Sequence, residues 1–520
     1  MPFIVSFLIL LGGLLLPYAA QGAALERGTA ITDPYVLRAL DGGRFGLGRM
    51  IEPARPVDVS LTNDDLFALP SMVPVRKAIG DEFDRYTARH KANPANGTIG
   101  VGPSFDFQLF DRALLVSGQS RFVLAGIVNR MDRAYVSPDS CGEIRLIYRL
   151  TRTTPAEAGD GALSPRLPMT LNIVLKARGD NAIAAAAAGA ANSCSGIARQ
   201  WLDAGELQLS GAELAARLNS KDGPLDSIKP ENIDRIETNL QIAHASKSAA
   251  RDFRTDYLLK VFRLNAQTRV FEEAPLENQV DREKVFADAG LKREFRAWLL
   301  DPKNLAEFDR GTILLPEKFL ASSAIAATPV GFAPSKLQPA FGFVQADGYG
   351  NEVFGEGEVV AALKKAAQSG VAFQNIRSAA GFERRLNDMT CSGCHQTRGI
   401  GGFHFPGVDW MTEKPSNSTV VPASPHFFGD QIRRRDILTA LRDGATPDYS
   451  RGFSNRPQLR GSTELAGTEY DDGWGAHCYQ QKPRRADNDA SFLSWTCAEG
   501  LACQPVGSAS RMGMCFVKSR

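Results

Sequence analysis

The sequence predicts an α+β protein with three parts: an N-terminal domain built on an antiparallel sheet, a mainly helical domain, and a small disulfide-rich C-terminal tail. Three observations support this division. Apolar and polar residues alternate between residues 120 and 271, which is typical of strands, and after residue 280 apolar residues recur at helical spacing. Four of the eight cysteines then follow residue 470. A chain of 520 residues is also too long for a single core.

The first 24 residues predict an export signal peptide. The stretch FIVSFLILLGGLLLPYAA is apolar, the first charged side chain is Glu26, and small residues lie around Gly22, so cleavage is expected between Gly22 and Leu25. No lysine or arginine precedes the apolar stretch, so an uncleaved anchor is the alternative. No later segment has the composition of a membrane span, and we expect the mature chain in the periplasm or outside the cell.

Residues 25–279 are predicted to form the α+β domain. Apolar residues occupy every second position from Ile144 to Leu150 and from Leu171 to Leu175, and from Ile236 to Ile242 with Thr238 as the exception. This alternation indicates antiparallel strands with one apolar face and one wetter face. Ser210 and Glu213 match a capping box at the start of a helix between strands. The stretch YLLKVFRLNAQTRVFEE indicates a hairpin that turns near Asn265.

Residues 280–445 are predicted to form the mainly helical domain. Helical spacing of apolar residues covers four segments: Arg282 to Leu300, Glu358 to Gln368, Ile376 to Met389, and Asp430 to Leu441. The glycine in Ser369-Gly370 ends the second of these helices, and Gly444 ends the fourth.

Residues 446–470 are polar and rich in turn-forming residues, and we interpret them as a linker to a cysteine-rich tail, residues 471–520. The tail has too few aliphatic residues for a core, so disulfides are expected to hold it together. Its cysteines allow three pairings, which the sequence does not distinguish: Cys478, Cys497, Cys503 and Cys515. By position, Cys141 and Cys194 are the natural pair in the first domain.

The charge balance excludes some classes of partner. Lysine and arginine number 60 against 58 acidic residues, which gives a net charge of +2 and no field that would attract nucleic acid. The run Arg433-Arg434-Arg435 is interpreted as a solvated helix face, with a binding patch as the weaker alternative.

One short motif carries specific chemistry. Cys391, Cys394 and His395 are spaced C-x-x-C-H. Two thiols at this spacing add across the two vinyl groups of haem, and the adjacent histidine then lies under the iron. The motif follows the predicted helix that ends at Met389, in a chain predicted to be exported.

This stretch resembles the haem-attachment site of c-type cytochromes. The resemblance covers about sixty residues and implies a cytochrome c-like helical domain with one covalent haem c. It assigns Cys391 and Cys394 as the thioether residues and His395 as the proximal iron ligand. The usual distal methionine has no counterpart at the expected distance, and His404 is the favoured sixth ligand, with Met411 and His426 as alternatives. A redox partner protein would follow from this function.

Two other interpretations of the motif remain open. Cys391 and Cys394 could form a local disulfide, because unpaired thiols are readily oxidised outside the cytoplasm. Alternatively, Cys391, Cys394, His395 and His404 have the donor set of a structural zinc site, although adjacent Cys394 and His395 seldom bind one tetrahedral metal.

The sequence therefore supports two hypotheses about function. The first is an exported monohaem c-type protein that acts in electron transfer or haem-based redox chemistry, and if it is an enzyme, it is an oxidoreductase. The second is a secreted or envelope binding protein in which the motif is a disulfide or metal site. No phosphate-binding loop, serine-nucleophile elbow or H-E-x-x-H motif suggests another chemistry.

Overall fold

The structure of the chain is a computed structural model. It describes residues 26–56, 61–137, 139–153, 166–178, 193–245, 255–328, 353–391, 427, 430–453, 477–497, 499–505 and 511–517. The predicted signal peptide and the alanine-rich stretch around residue 185 lie outside these ranges, as does most of the C-x-x-C-H motif.

A large sheet organises the first half of the chain and confirms the predicted antiparallel domain. Its strands follow the order β1-β4-β5-β6-β7-β8, with β9 and β10 end to end along the far edge of β8, and β3 and β2 extending beside the end of β7. All pairs are antiparallel except β2 with β3. The strands are β1 (Ala30–Ile31), β2 (Ile99–Gly100), β3 (Phe107–Leu109), β4 (Ser120–Arg130), β5 (Glu143–Arg152), β6 (Arg166–Lys176), β7 (Ile233–Ala245), β8 (Thr255–Leu264), β9 (Phe271–Ala274) and β10 (Ser323–Thr328).

The apolar face of this sheet forms the main core. The alternating residues predicted to point inward, such as Leu146, Leu171 and Ile236, are fully buried there. Helices cover this face because each carries an apolar stripe. They are α1 (Pro34–Asp41), α2 (Leu47–Ile51), α3 (Asn63–Ala68), α4 (Val73–Lys91), α5 (Cys194–Gly205) and α6 (Gly211–Leu218). Helix α6 begins after Ser210 as predicted, although the Ser210 side chain makes no capping hydrogen bond.

The opposite face of the sheet corrects one expectation. Arg145, Asn172 and Glu237 lie on it, and the alternation predicted a wetter, solvent-facing surface. All three are buried, at 5%, 2% and 4% exposure, because later parts of the chain cover this face. The face is polar as predicted, but its charges pair with each other instead of with water.

This covering segment, residues 282–442, contains six helices within its described ranges: α7 (Arg282–Ala287), α8 (Ala289–Leu299), α9 (Pro302–Arg310), α10 (Glu356–Gln368), α11 (Ala379–Met389) and α12 (Gln431–Arg442). The single helix predicted from Arg282 to Leu300 is broken at Asp288, whose side chain accepts hydrogen bonds from the first backbone N–H groups of α8. These helices enclose a second apolar core, around Phe295, Phe308 and Phe382. A cytochrome c-like arrangement of the helices is not shown.

The covering segment also joins the large sheet. Strand β10 pairs with β8 from Ser323 opposite Lys260 to Thr328 opposite Thr255. The predicted hairpin is confirmed in the same region, because β8 and β9 pair and Asn265 accepts backbone hydrogen bonds within the turn. Helix α12 packs against α5 of the first half. The two halves of the described chain therefore share both the sheet and its helical cover.

A small sheet at the C-terminus confirms the predicted disulfide-rich tail. Strands β11 (His477–Tyr479), β13 (Met512–Val517) and β12 (Leu501–Pro505) lie side by side in that order. Disulfides join Cys478 to Cys503 and Cys497 to Cys515, which selects one of the three pairings. The predicted bond between Cys141 and Cys194 is also present.

No helix in the described ranges has both the length and the apolar character that a bilayer crossing requires.

Candidate functional site

Cys391 is the predicted site residue that the structure describes, and it lies two residues beyond α11. Its side chain is partly buried against a small apolar cluster that includes Leu259, Leu276 and Ala324. Its Sγ lies 3.5 Å from the backbone carbonyl oxygen of Glu277, to which a thiol can donate a hydrogen bond. Cys391 thus faces the polar side of the large sheet.

The remaining predicted site residues, Cys394, His395 and His404, lie outside the described residues. Haem attachment, the local disulfide and the zinc site therefore all stay predictions. Phe427, one of the aromatic residues near the motif, is buried, and the guanidinium of Arg434 lies 5.7 Å from its ring centroid.

A cavity of about 600 Å³ separates the polar face of the sheet from the covering helices, and Cys391 lines it. One part of its wall is apolar, with Val261, Leu276, Ile313 and Leu315. The rest is charged, with eight basic and six acidic side chains. This size lies within the range of small-molecule sites, about 300–1,000 Å³.

A buried ion network forms the sheet side of the cavity. Glu143 on β5 accepts hydrogen bonds from Arg133, Arg145 and Arg235 at 2.9 to 3.1 Å. Burial alone would raise the pKa of Glu143, but the three guanidinium groups hold it well below its usual value. Glu237 bonds to Arg145 and Arg235, and Glu277 to Arg133. Arg145 and Arg235 on the strands and Arg133 in the turn after β4 are thus neutralised by carboxylates.

The opposite side of the cavity carries two arginines whose guanidinium groups bind carbonyl or hydroxyl oxygens instead of carboxylates. Arg385 on α11 donates to the backbone carbonyl oxygens of Asp309, Arg451 and Gly452 at 2.7 to 2.9 Å. Arg451 donates to the Tyr135 hydroxyl at 2.8 Å. Neither makes a salt bridge within 4.0 Å to a carboxylate among the described residues.

Asp309 fixes the loop from which α11 starts. Its buried carboxylate accepts backbone hydrogen bonds from Gln374, Asn375 and Ile376 at 2.6 to 2.8 Å. Gly311 ends α9 with a φ of +74°, and a Cβ there would lie 3.2 Å from Nη1 of Arg385. The end of α9 therefore positions α11, the helix that contains Arg385 and ends two residues before Cys391.

The arginine run in α12 corrects another expectation. Arg433 and Arg434 were predicted on a solvated helix face, yet Arg434 is only 4% exposed and both residues bond to Asp430 at 2.7 Å. Arg433 also binds the buried Asp132 at 2.7 Å. These guanidinium groups serve to attach α12 to the polar face of the sheet, and the solvated-face interpretation is wrong for both.

The sulfur atoms of Cys478, Cys497 and Cys515 lie within 4.8 Å of one another, a spacing that would suit a metal ion. Each of them belongs to a disulfide in this structure. Metals bind thiolates, and a disulfide sulfur is not one. The cluster is therefore explained by two disulfides that lie close together in the small sheet.

These features define the class of protein. It is a mixed α/β protein with one large antiparallel sheet, a charged cavity on the buried polar face of that sheet, and a small disulfide-held sheet at the C-terminus. Comparison with protein-family models, with curated proteins and with solved structures finds no match for the chain.

Sequence reasoning found Cys391 but missed the cavity beside it. A signal was present, since Arg145, Glu237 and Arg235 place charges on one face of strands whose other face is apolar. That pattern is the same for a solvated face and for a buried ion network. Arg385 and Arg451 gave no signal, because Arg385 lies in a predicted helix and Arg451 in the predicted linker, and the two meet only in three dimensions.

Proposed function

We propose that this chain is an exported protein that carries one covalently attached haem and acts in electron transfer or haem-based redox chemistry. Cys391 and Cys394 would form the thioether bonds, His395 would be the proximal ligand, and His404 the distal one. The C-x-x-C-H spacing is the observation that carries the proposal.

The surroundings of Cys391 suit such a group. A porphyrin combines a broad apolar ring with two carboxylates, and the adjacent cavity has an apolar wall beside a cationic one. The apolar wall would exclude water from the ring, and burial of this kind tunes the reduction potential. When bound, the haem would supply reversible one-electron chemistry, while the protein would orient it and limit solvent access.

The three disulfides support the part of the proposal that concerns location. Disulfides persist in oxidising compartments such as the periplasm and the cell exterior, where c-type haem attachment also takes place in bacteria. A redox partner protein is part of the proposal for electron transfer.

The proposal is tested by producing the full chain in a host that has haem-attachment machinery. The purified protein is expected to be red, to show a Soret band, and to keep its haem after denaturation. Cys391→Ala and Cys394→Ala should each weaken this covalent retention, and together abolish it. Ser392→Ala is the matched control, because it leaves the two sulfurs and their spacing intact.

A colourless protein, with a peptide map that recovers Cys391 bonded to Cys394, would refute the proposal. The chain would then be better described as an exported binding protein stabilised by disulfides. In the haem-containing protein, His404→Ala tests the distal ligand, since unchanged oxidised and reduced spectra would remove His404 from that role.

A further inference from the structure

We propose that the cavity beside Cys391 is a binding site for an organic carboxylate, and that Arg385 and Arg451 are its anion-binding residues. The carboxylate could belong to a small separate ligand or to the haem itself. Only the second source rests on the proposed function.

Arg385 is built into the site with part of its hydrogen-bonding capacity unused. The side chain is 3% exposed and three backbone carbonyl groups fix its orientation. Its Nε is buried and has no hydrogen-bond partner among the described residues. A guanidinium has five N–H donors, and a buried donor left without a partner is unfavourable. A bound anion would satisfy it.

Arg451 adds a second positive charge next to the first. Its backbone carbonyl accepts from Arg385, and its own guanidinium is held by the Tyr135 hydroxyl. Burial lowers the pKa of Arg385 only to about 10, and the pKa of Arg451 is raised despite burial because Tyr135 lies close by. Both groups are therefore charged at neutral pH.

Arg385 and Arg451 have no carboxylate within 4.0 Å among the described residues, in contrast to the arginines on the sheet side of the cavity. Asp388 lines the same cavity and interacts with Arg385 at longer range, but it already pairs with Arg384 at 3.3 Å. On the sheet side, Arg133, Arg145 and Arg235 each bond to glutamates of the chain. Buried charges are normally paired, since an isolated charge in a protein interior is strongly unfavourable. The missing partner of Arg385 and Arg451 is thus expected to come from a ligand.

The chemistry of the walls favours an organic carboxylate over a simple inorganic anion. The fork of a guanidinium matches the two oxygens of a carboxylate. Leu276, Ile313 and Leu315 line the same cavity and offer apolar contacts that phosphate or chloride could not use. A volume of about 600 Å³ leaves room for a carbon skeleton attached to the carboxylate.

The test uses the purified full chain and two probes, succinate and butyrate, in calorimetric titrations against sodium chloride at matched ionic strength. At least one probe is expected to bind and to raise the thermal midpoint of the protein. Arg451→Gln is expected to weaken that binding at least tenfold. Arg451 is only partly buried, so this variant should fold, whereas Arg385→Gln also removes three backbone contacts.

Arg263→Gln is the matched control. Arg263 lines the same cavity, but its side chain is exposed and bridges to Glu317 at 3.4 Å. Its loss should leave carboxylate binding unchanged. A uniform loss of binding in both variants would indicate only that the net charge of the surface matters, and it would overturn the assignment of Arg451.

Measurements on wild type and Arg451→Gln also distinguish the two sources of the carboxylate. Binding of a probe to wild type and its loss in Arg451→Gln identify a separate ligand, even if the protein is colourless and the haem proposal has failed. If a red wild-type protein binds neither probe, Arg451→Gln should lower the midpoint potential, because a positive charge beside a haem carboxylate has gone. The proposal is overturned if neither probe binds and no such potential change is found.

Discussion

Glu383 on α11 provides a direct test of the buried charge arrangement around this helix. The side chain is completely buried, and neither carboxylate oxygen has a hydrogen-bond partner among the described residues. Burial raises the pKa of Glu383 from its ordinary value of 4.5 to about 9, although the neighbouring Arg384 opposes the shift. The folded protein therefore holds this carboxyl group protonated at neutral pH, whereas the unfolded chain releases the proton.

The sign and size of the effect follow from this difference. The contribution of Glu383 to stability is complete below pH 4.5 and is lost progressively as the pH rises towards 9, because only the unfolded state gains from ionisation. At pH 7 the pH is about 2.5 units above the pKa of 4.5 that Glu383 has in the unfolded chain, so the stability lost is roughly 3 kcal/mol. Glu383→Gln is neutral at every pH and should not show this loss.

The assay is urea unfolding of wild type and Glu383→Gln at pH 5 and pH 7. The variant carries a constant cost for its buried amide, so the informative quantity is the change of stability between the two pH values. Wild type should lose about 2–3 kcal/mol more than the variant over this interval. Exposed Glu213, replaced by Gln, is the control and should follow wild type. Parallel losses in wild type and Glu383→Gln would refute the reasoning.

Three further substitutions test the supports of the cavity and the fold by urea unfolding. Asp309→Asn should lower the free energy of unfolding by about 2–3 kcal/mol, because the three backbone N–H groups lose a charged acceptor. Asp301 caps a helix at an exposed position, and Asp301→Asn should cost less than about 1 kcal/mol. Equal losses in the two variants would contradict the role of Asp309. Gly311→Ala should lower the free energy of unfolding by more than the roughly 1–2 kcal/mol expected from backbone strain alone, because its Cβ also contacts Arg385. Gly444 has a φ of +71° and open space around it, so Gly444→Ala measures the strain alone. Equal losses in the two variants would exclude crowding at Gly311. Replacing both Cys141 and Cys194 with serine should cost about 4 kcal/mol, since the bond closes a loop of 53 residues; a change below about 1 kcal/mol would show that the bond does not constrain the unfolded chain.

The parts of the fold that could be predicted are those encoded locally. Alternation of Ile144, Leu146 and Tyr148 with other residues is enough to define a strand, because one face of the sheet is apolar along its length. The break at Asp288 was missed since helical spacing continues across it, although aspartate is a common capping residue. The pairing of the four tail cysteines depends on how the small sheet folds, which spacing alone does not determine.

The candidate site could be predicted only in part, because it combines a local motif with a distant surface. Cys391 belongs to a motif whose spacing is itself chemical information. Arg145 and Arg434 looked like solvated residues, since the segments that cover them are remote in sequence. Arg385 and Arg451 are 66 residues apart and meet only because the loop after α12 returns to α11. No periodic pattern records such a meeting.

The position of β10 has a consequence for how the protein is made. Strand β8 cannot complete its outer edge until residues 323–328 have been synthesised, about sixty residues after β8 itself. Until then the β8 edge beyond its short pairing with β9 has unpaired backbone groups, next to apolar Leu259, and such edges recruit strands from other molecules. Export in an unfolded state would avoid this interval, whereas a fragment ending before β10 would be prone to aggregate.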